Sequence, residues 1–262
     1  MSIHKKLSSE IIMNTVWAET ALLPTGWASG VRVDIDASGQ IIDVQKNVPA
    51  VGEQTPFLLP SPVNAHSHAF QRAMAGLTEC RGPNPNDSFW TWRQLMYRFL
   101  DQLTPEHVEA ITAFVQMEML EAGYAANIEF HYLHHQPGGA PYDNLAETSE
   151  RIAAATDRTG IGLCLLPVHY EFGGCDGRAL TAGQIRFGND LNRFKELHGG
   201  AVSTLSSLPK DTGFGVAPHS LRAVSVENLQ SYNALFPTGP IHMHLAEQLP
   251  EVDEVQKQWG AR

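Results

Sequence analysis

The chain has 262 residues, 43% of them apolar and 18% charged, a globular composition with enough apolar side chains for a sizeable core, so disorder is not the expectation. Its 28 acidic and 18 basic residues leave a formal charge of −10, and no run of Lys or Arg exceeds Lys5-Lys6, which argues against a nucleic-acid partner or an anionic membrane surface. Glu10, Asn14 and Glu19 interrupt the apolar runs behind the N-terminus, and nowhere is there the stretch of about 18 apolar residues that a membrane span needs.

In chain order, residues 11–18, 31–35 and 41–45 read as short strands separated by turns at Pro24-Thr25-Gly26 and Ala37-Ser38-Gly39. A small β-rich domain over 1–57 is therefore expected. From residue 58 to 262 apolar strands alternate with helical patterns, the mark of βα units around a parallel sheet. The expected strands are 58–66, 126–133, 161–168, 213–218 and 240–245. Thr104 is read as the cap of a helix that opens on Pro105 and ends at Gly123. Helical periodicity also covers 88–102, 144–159, 183–198 and 225–235, with Gly160 and Gly199 as stops. Cys80, Cys164 and Cys175 are widely spaced and form no CxxC pair, so a reducing cytoplasm is expected rather than a disulfide framework. Five such units fall short of the eight in a closed (β/α)8 barrel of typically about 250 residues. An open doubly wound sheet would be complete with five strands, so topology alone leaves both open.

The motifs narrow this. In Pro62-Val63-Asn64-Ala65-His66-Ser67-His68 an apolar strand ends in His-x-His. Alternate residues of a strand share a face, so both imidazoles can converge on one ion at the strand's C-terminal end, where barrel active sites lie. In Ile241-His242-Met243-His244-Leu245-Ala246-Glu247 a second strand ends in a histidine, with a carboxylate three residues on. His244 can complete a three-histidine set, and Glu247 is placed to move protons without ligating the metal. Ala217-Pro218-His219-Ser220-Leu221-Arg222 adds a third strand-terminal histidine followed by an arginine. Glu129-Phe130-His131-Tyr132-Leu133-His134-His135 holds more histidines than one ion needs; these are assigned no metal role and are expected to form a polar rim. The aromatic helical segment Ser88-Phe89-Trp90-Thr91-Trp92-Arg93-Gln94-Leu95-Met96-Tyr97-Arg98-Phe99 is expected to face the core, with Arg93 the one ligand-contact candidate in it.

HSHAFQRAMAGL, SFWTWRQLMYRF, EMLEAGY, EFHYLHH, GIGLCLLPV, APHSLRAV and HMHLAEQLPEVDE together resemble the amidohydrolase superfamily, and within it the formimidoylglutamate deiminases of histidine degradation. The resemblance runs from about residue 10 to the closing GAR. It implies hydrolysis of N-formimino-L-glutamate to N-formyl-L-glutamate and ammonia by a cytoplasmic, homodimeric enzyme with one Zn2+. By it His66, His68 and His244 are zinc ligands, Glu247 is the proton shuttle, and Gln71, Tyr132, His219 and Arg222 contact substrate. Arg222 suits a carboxylate because guanidinium offers a planar donor fork, and Tyr132 can add a hydroxyl donor.

The implied fold is α/β: an incomplete (β/α)8 TIM-type barrel of about five βα units over 58–262, preceded by the N-terminal half of a composite β-sandwich over 1–57. Such enzymes continue for roughly one more barrel third, which supplies an aspartate ligand and a second catalytic histidine. The chain is accordingly expected to be an amino-terminal part of such an enzyme, inactive or nearly so alone. Two smaller departures are Ser61-Pro62-Val63, which replaces a glycine-containing turn, and His169, which stands where an apolar residue is expected. Two rival readings stay open: a zinc aminohydrolase acting on a ring amidine such as guanine, an adenosine derivative or a triazine, and a non-catalytic half-barrel binding protein. Arg222 and Tyr132 speak against the first, since a flat heterocycle prefers an apolar slot.

Overall fold

The computed structural model describes residues 12–78, 82 and 86–260. Ile11, Cys80, the basic cluster around Lys5-Lys6 and the closing Ala261-Arg262 lie outside the described residues. The chain divides into two compact units between Ser61 and Pro62.

The first unit is a four-stranded sheet in the order β3-β2-β1-β4. β1 (Ile12–Leu23) and β2 (Gly26–Asp36) form an antiparallel hairpin, turned at Pro24-Thr25 with Gly26 at φ 103°, a conformation that favours glycine. β3 (Ile41–Gln45) pairs antiparallel with β2, and β4 (Glu53–Leu58) runs parallel to β1. Ala18, Ala21, Val31 and Val33 form its buried face. The expected strand 58–66 is in fact two elements. Pro60 and Pro62 have no N–H to give to a ladder, so β4 ends at Leu58 and the next strand, β5, covers Val63–Ser67.

The second unit is parallel. β5, β6 (Ala126–His131), β7 (Gly162–His169) and β8 (Gly213–Phe214) lie in that order, and β9 (Ala217–Pro218) extends the line by pairing with β7. Helices fill the crossovers: α1 (Phe89–Leu100) and α2 (Pro105–Glu121) after β5, α3 (Glu147–Thr159) after β6, α4 (Leu191–Thr204) after β7, α5 (Val226–Leu235) after β9, and α6 (Leu249–Trp259) last. β6 and β7 are covered on both faces, as parallel strands require; Phe130, Leu163, Leu165, Leu166 and Val168 join Met96, Leu100 and Ile152 in one core. Thr104 caps α2 by accepting from the His107 N–H, with Pro105 at the first helical position, and the chain leaves through Gly123 at φ 91°.

Four further expectations are corrected. The stretch 213–218 splits into β8 and β9, and 240–245 joins only through parallel bridges, Val216 to Ile241 and Ser220 to His244. The cause is local: Gly239 is left-handed at φ 83°, Pro240 has no N–H, and Gly215 lies too close to the Pro240 carbonyl to carry a Cβ. The helix expected over 183–198 starts only after Asp190, whose side chain accepts from the Asn192 and Arg193 N–H groups. Before it, buried Arg186 donates Nε to the His135 carbonyl at 2.7 Å and Nη2 to the Leu103 carbonyl at 3.0 Å. Nor does Gly199 stop α4, which continues to Thr204; a Cβ on Gly200 would lie 3.0 Å from that of Ala146, so glycine here permits helix contact. No helix among the described residues is long and apolar enough to cross a membrane.

Candidate metal centre and adjoining cavity

The C-terminal ends of the parallel strands carry the polar side chains. Alternation along β5 sends Ser67 inward and leaves His66, with His68 just past the strand end, on the other face. The β5–β6 register slips between Asn64 and Ser67. His244, 178 positions from His66, closes the group: its Nε2 is 3.2 Å from His66 Nε2, which is 3.0 Å from His68 Nε2. All three ligand atoms lie within 4.8 Å of one another. The Phe130 ring supports them from below, with centroid distances of 4.4 Å to His244, 5.2 Å to His68 and 5.4 Å to His66.

This arrangement fits a cation. His68 Nδ1 is 2.9 Å from the Phe130 carbonyl; a carbonyl only accepts, so Nδ1 carries the proton and the Nε2 lone pair points into the cluster. Burial pushes the His68 pKa down to about 3 against the pull of that hydrogen bond. Burial also takes His244 down to about 4 and lowers His66. The ring nitrogens are therefore neutral at pH 7 and crowd one point, where unshielded lone pairs repel. Tetrahedral ligation at about 2.0–2.1 Å sets neighbouring nitrogens about 3.3 Å apart, close to the spacings here.

Next to the histidines is a cavity of about 50 Å³, lined by His68, Gln71, Arg93, Tyr132, His219, Arg222, His244 and Glu247, with aromatic walls from Trp92, Tyr97, Tyr170 and Phe187. Every sequence-predicted site residue except His66 lines it, and His66 touches it through His68 and His244. Gln71 Nε2 donates to the Tyr132 hydroxyl at 2.9 Å, and burial raises the Tyr132 pKa, keeping that hydroxyl neutral. His219 is buried, its Nδ1 3.0 Å from the Ser220 hydroxyl, and burial holds its pKa well below the usual value. Arg93 donates Nε to the Tyr97 hydroxyl at 2.5 Å and lies over the Trp90 and Tyr97 rings. Arg222 donates Nη2 to Glu247 Oε2 at 3.0 Å, so the cation read as a substrate anchor and the acid read as a proton carrier are paired. Its Nε is buried and finds no acceptor among the described residues.

The polar rim expected from His131, His134 and His135 is not there. Phe130 and Tyr132 share the face that meets the metal centre, so His131 points to the helix side, where its Nε2 is 2.9 Å from the Thr148 hydroxyl. His134 Nε2 meets the Val168 carbonyl at 2.9 Å, and His135 Nε2 lies 3.0 Å from the Gly188 carbonyl and from Asn189 Oδ1. All three are buried. His169, unexpected on an apolar strand, is also structural: Nδ1 is 2.8 Å from the Tyr232 hydroxyl, Nε2 is 3.1 Å from the Asn189 carbonyl, and the ring stacks on Phe194 at 4.7 Å.

The four aromatic wall residues were missed. Tyr170 follows the end of β7 and could have been found by the rule used for the histidines. Trp92 and Tyr97 were read as core with the rest of the aromatic segment, and no motif pointed to Phe187. Glu129, paired in register with Ser67, is buried; its Oε1 accepts from the Ala69 N–H at 2.7 Å and its Oε2 finds no partner among the described residues. Burial lifts its pKa to about 7.

Residues 13–55 match the N-terminal domain of formimidoylglutamate deiminase HutF. The formimidoylglutamate deiminase of Pseudomonas aeruginosa is 45% identical over 253 residues, which are 95% of this chain and 55% of that protein. The crystal structure of an amidohydrolase from Brucella melitensis superposes with a TM-score of 0.89 at 46% identity, covering 95% of this chain and 55% of that one. An atrazine chlorohydrolase from Arthrobacter aurescens, crystallised with zinc and atraton, shares the fold at a TM-score of 0.73 and 14% identity, over 94% of this chain and 56% of its own. The chain thus spans about half the length of the relatives it matches. The resemblance drawn from the motifs is borne out, and the fold is the α/β barrel type of the amidohydrolases, present in part.

Proposed function

We propose that this chain carries the metal centre and substrate cavity of a deiminase that hydrolyses N-formimino-L-glutamate to N-formyl-L-glutamate and ammonia. The observation that carries the reading is the junction of the His66–His68–His244 cluster with a cavity containing Glu247 and Arg222. Similarity to the Pseudomonas aeruginosa enzyme over nearly the whole chain supports it.

His66, His68 and His244 would hold the cation through Nε2, and zinc suits three neutral imidazoles. When bound, that ion supplies Lewis acidity, bringing the pKa of water toward neutrality. Arg222 holds a substrate carboxylate, with Arg93, which lines the same cavity, as a second cation against the −10 overall charge. Gln71 and Tyr132 orient the formimino group by hydrogen bonds, and neutral His219 adds a ring donor. Glu247 removes a proton from the attacking water as the water oxygen bonds to the formimino carbon, and delivers it to the imino nitrogen; the proton of the resulting hydroxyl then passes through the same carboxylate to that nitrogen, the carbon–nitrogen bond breaks, and ammonia leaves N-formyl-L-glutamate. Because Arg222 holds Glu247 at 3.0 Å, an arriving carboxylate competes for the guanidinium and frees Glu247 as the ligand seats. The reading also includes a homodimer and a cytoplasmic site of action, where unpaired Cys164 and Cys175 stay reduced.

The test compares ammonia release and saturable binding for N-formimino-L-glutamate and for guanine, using zinc-loaded protein. Release from, or binding of, the first alone supports the reading. Release from guanine, or binding of guanine alone, refutes it in favour of a ring-amidine enzyme.

A further inference from the structure

The turn that carries Glu247 is held by a residue with no role in the scheme above. Helix α6 has Gln248 as its N-cap, and the Gln248 side chain makes no cap hydrogen bond. Pro250, at the second helical position, has no N–H to satisfy. Glu251 occupies the third position, from which a carboxylate ordinarily reaches back to the N–H of the capping residue. Here it reaches one residue further: Glu251 Oε2 accepts from the backbone N–H of Glu247 at 3.1 Å. Just before that amide, Ala246 stands at φ 53°, one of two non-glycine residues among those described with positive φ. That conformation is unfavourable for alanine and persists only where the surroundings impose it.

Helix capping alone does not account for this carboxylate. Glu251 is 4% exposed, its Oε1 has no partner among the described residues, and Glu247 and Glu254 add like charge nearby. Burial pushes its carboxyl pKa up, and Arg222 is the main charge opposing that shift. A Ser or Asp at position 248 would cap the helix without burying an acid. What the acid does achieve is to pin the amide of the one residue in the turn whose carboxylate meets Arg222 and the cavity.

We infer that Glu251 is a positioning residue for Glu247, fixing the left-handed turn at Ala246 so that the Glu247 carboxylate faces the cavity beside His244. The inference rests on the proposed function only for what Glu247 then does, and the fixing of the turn stands apart from it. Glutamine at 251 keeps an oxygen that can accept from the same N–H; leucine keeps the volume and removes the acceptor, and an unpartnered buried acid with it. A merely structural Glu251 would let the leucine variant lose stability while keeping its kcat.

The experiment uses the zinc-loaded 262-residue chain and its E251Q and E251L forms, with E251A as the second acceptor-free variant should E251L not fold. Two readouts are taken: hydrogen exchange of the Glu247 amide by 15N NMR, and kcat and KM for ammonia release from N-formimino-L-glutamate. The expectation is that E251Q matches the parent in both. E251L exchanges the Glu247 amide at least about tenfold faster and loses about 10- to 100-fold in kcat with KM nearly unchanged. Equal amide protection in all forms overturns the inference, as does faster exchange in E251L with an unchanged kcat. If the parent releases no ammonia, the outcome expected of a chain that spans about half the length of its relatives, the amide readout alone decides the positioning: protected in the parent and E251Q but not in E251L sustains it, and any other pattern sinks it, whereas the proposed function fails only where N-formimino-L-glutamate neither reacts nor binds.

Discussion

Lowering the pH should destabilise this fold through histidines that have nothing to do with the metal. His131 and His169 are fully buried and neutral, each engaged with a hydroxyl, and burial pushes their pKa values down to about 3 and about 4. The unfolded chain takes up protons near the ordinary value of about 6.5, so the folded state is favoured above that pH and loses its advantage as pH falls. At pH 5 each histidine costs about 2 kcal/mol, or about 4 kcal/mol for the pair, against a typical total of about 5–15 kcal/mol. Glu129 acts in the opposite sense. With its pKa lifted to about 7, its contribution is complete below about 4.5 and lost as pH rises through 7, so acidification from pH 7 to 5 returns about 2 kcal/mol. These three groups together give a net loss of about 2 kcal/mol over that interval, and His68, His219 and His244, which burial also holds neutral, deepen the fall in the metal-free protein. Urea unfolding at pH 7, 6 and 5, followed by tryptophan fluorescence with EDTA present, measures it. H131M should flatten the pH 6 to 5 slope by about 1.4 kcal/mol, the value of one proton, and E129Q should steepen the overall fall by about 2 kcal/mol. An H131M slope equal to that of the parent would show that the ring titrates as it does in water and would refute the reasoning.

Other outcomes follow from the site and its supports. E247Q should bind zinc as the parent does, measured by chelator competition, and lower whatever ammonia release the parent shows by about 10²- to 10⁴-fold. R222K keeps a charge but loses the planar fork, so the Kd for N-formimino-L-glutamate should rise by at least about tenfold in equilibrium binding. Gly239 is left-handed at φ 83°, and a Cβ there would collide with the Phe214 carbonyl; G239A should cost at least about 2 kcal/mol in urea unfolding and weaken zinc binding by displacing the strand end that carries His244.

Much of the site was legible because its logic is local. A histidine at the end of an apolar strand can be read from a few residues, and His68, His219 and His244 were all found that way, as was the cap at Thr104. The failures came where distant groups decide. The side on which His131 falls depends on which face of β6 meets the centre, and the segment before α4 depends on buried Arg186 tying three carbonyl-bearing stretches together, one of them through Leu100. The break between β8 and β9 arises from backbone approach between Gly215 and Pro240, which no periodicity carries. Proline at 60 and 62, and Tyr170 just past the end of β7, were missed signals that stood openly in the sequence.

Extended X-ray absorption at the zinc edge, on chain loaded with one equivalent and compared with its H244A form, bears most directly on the claim that residues 178 positions apart share one ion. The expected spectrum of the parent has three imidazole nitrogens at about 2.0–2.1 Å, one of which disappears in H244A. A parent spectrum with fewer imidazoles, or one that H244A leaves unchanged, would contradict the account.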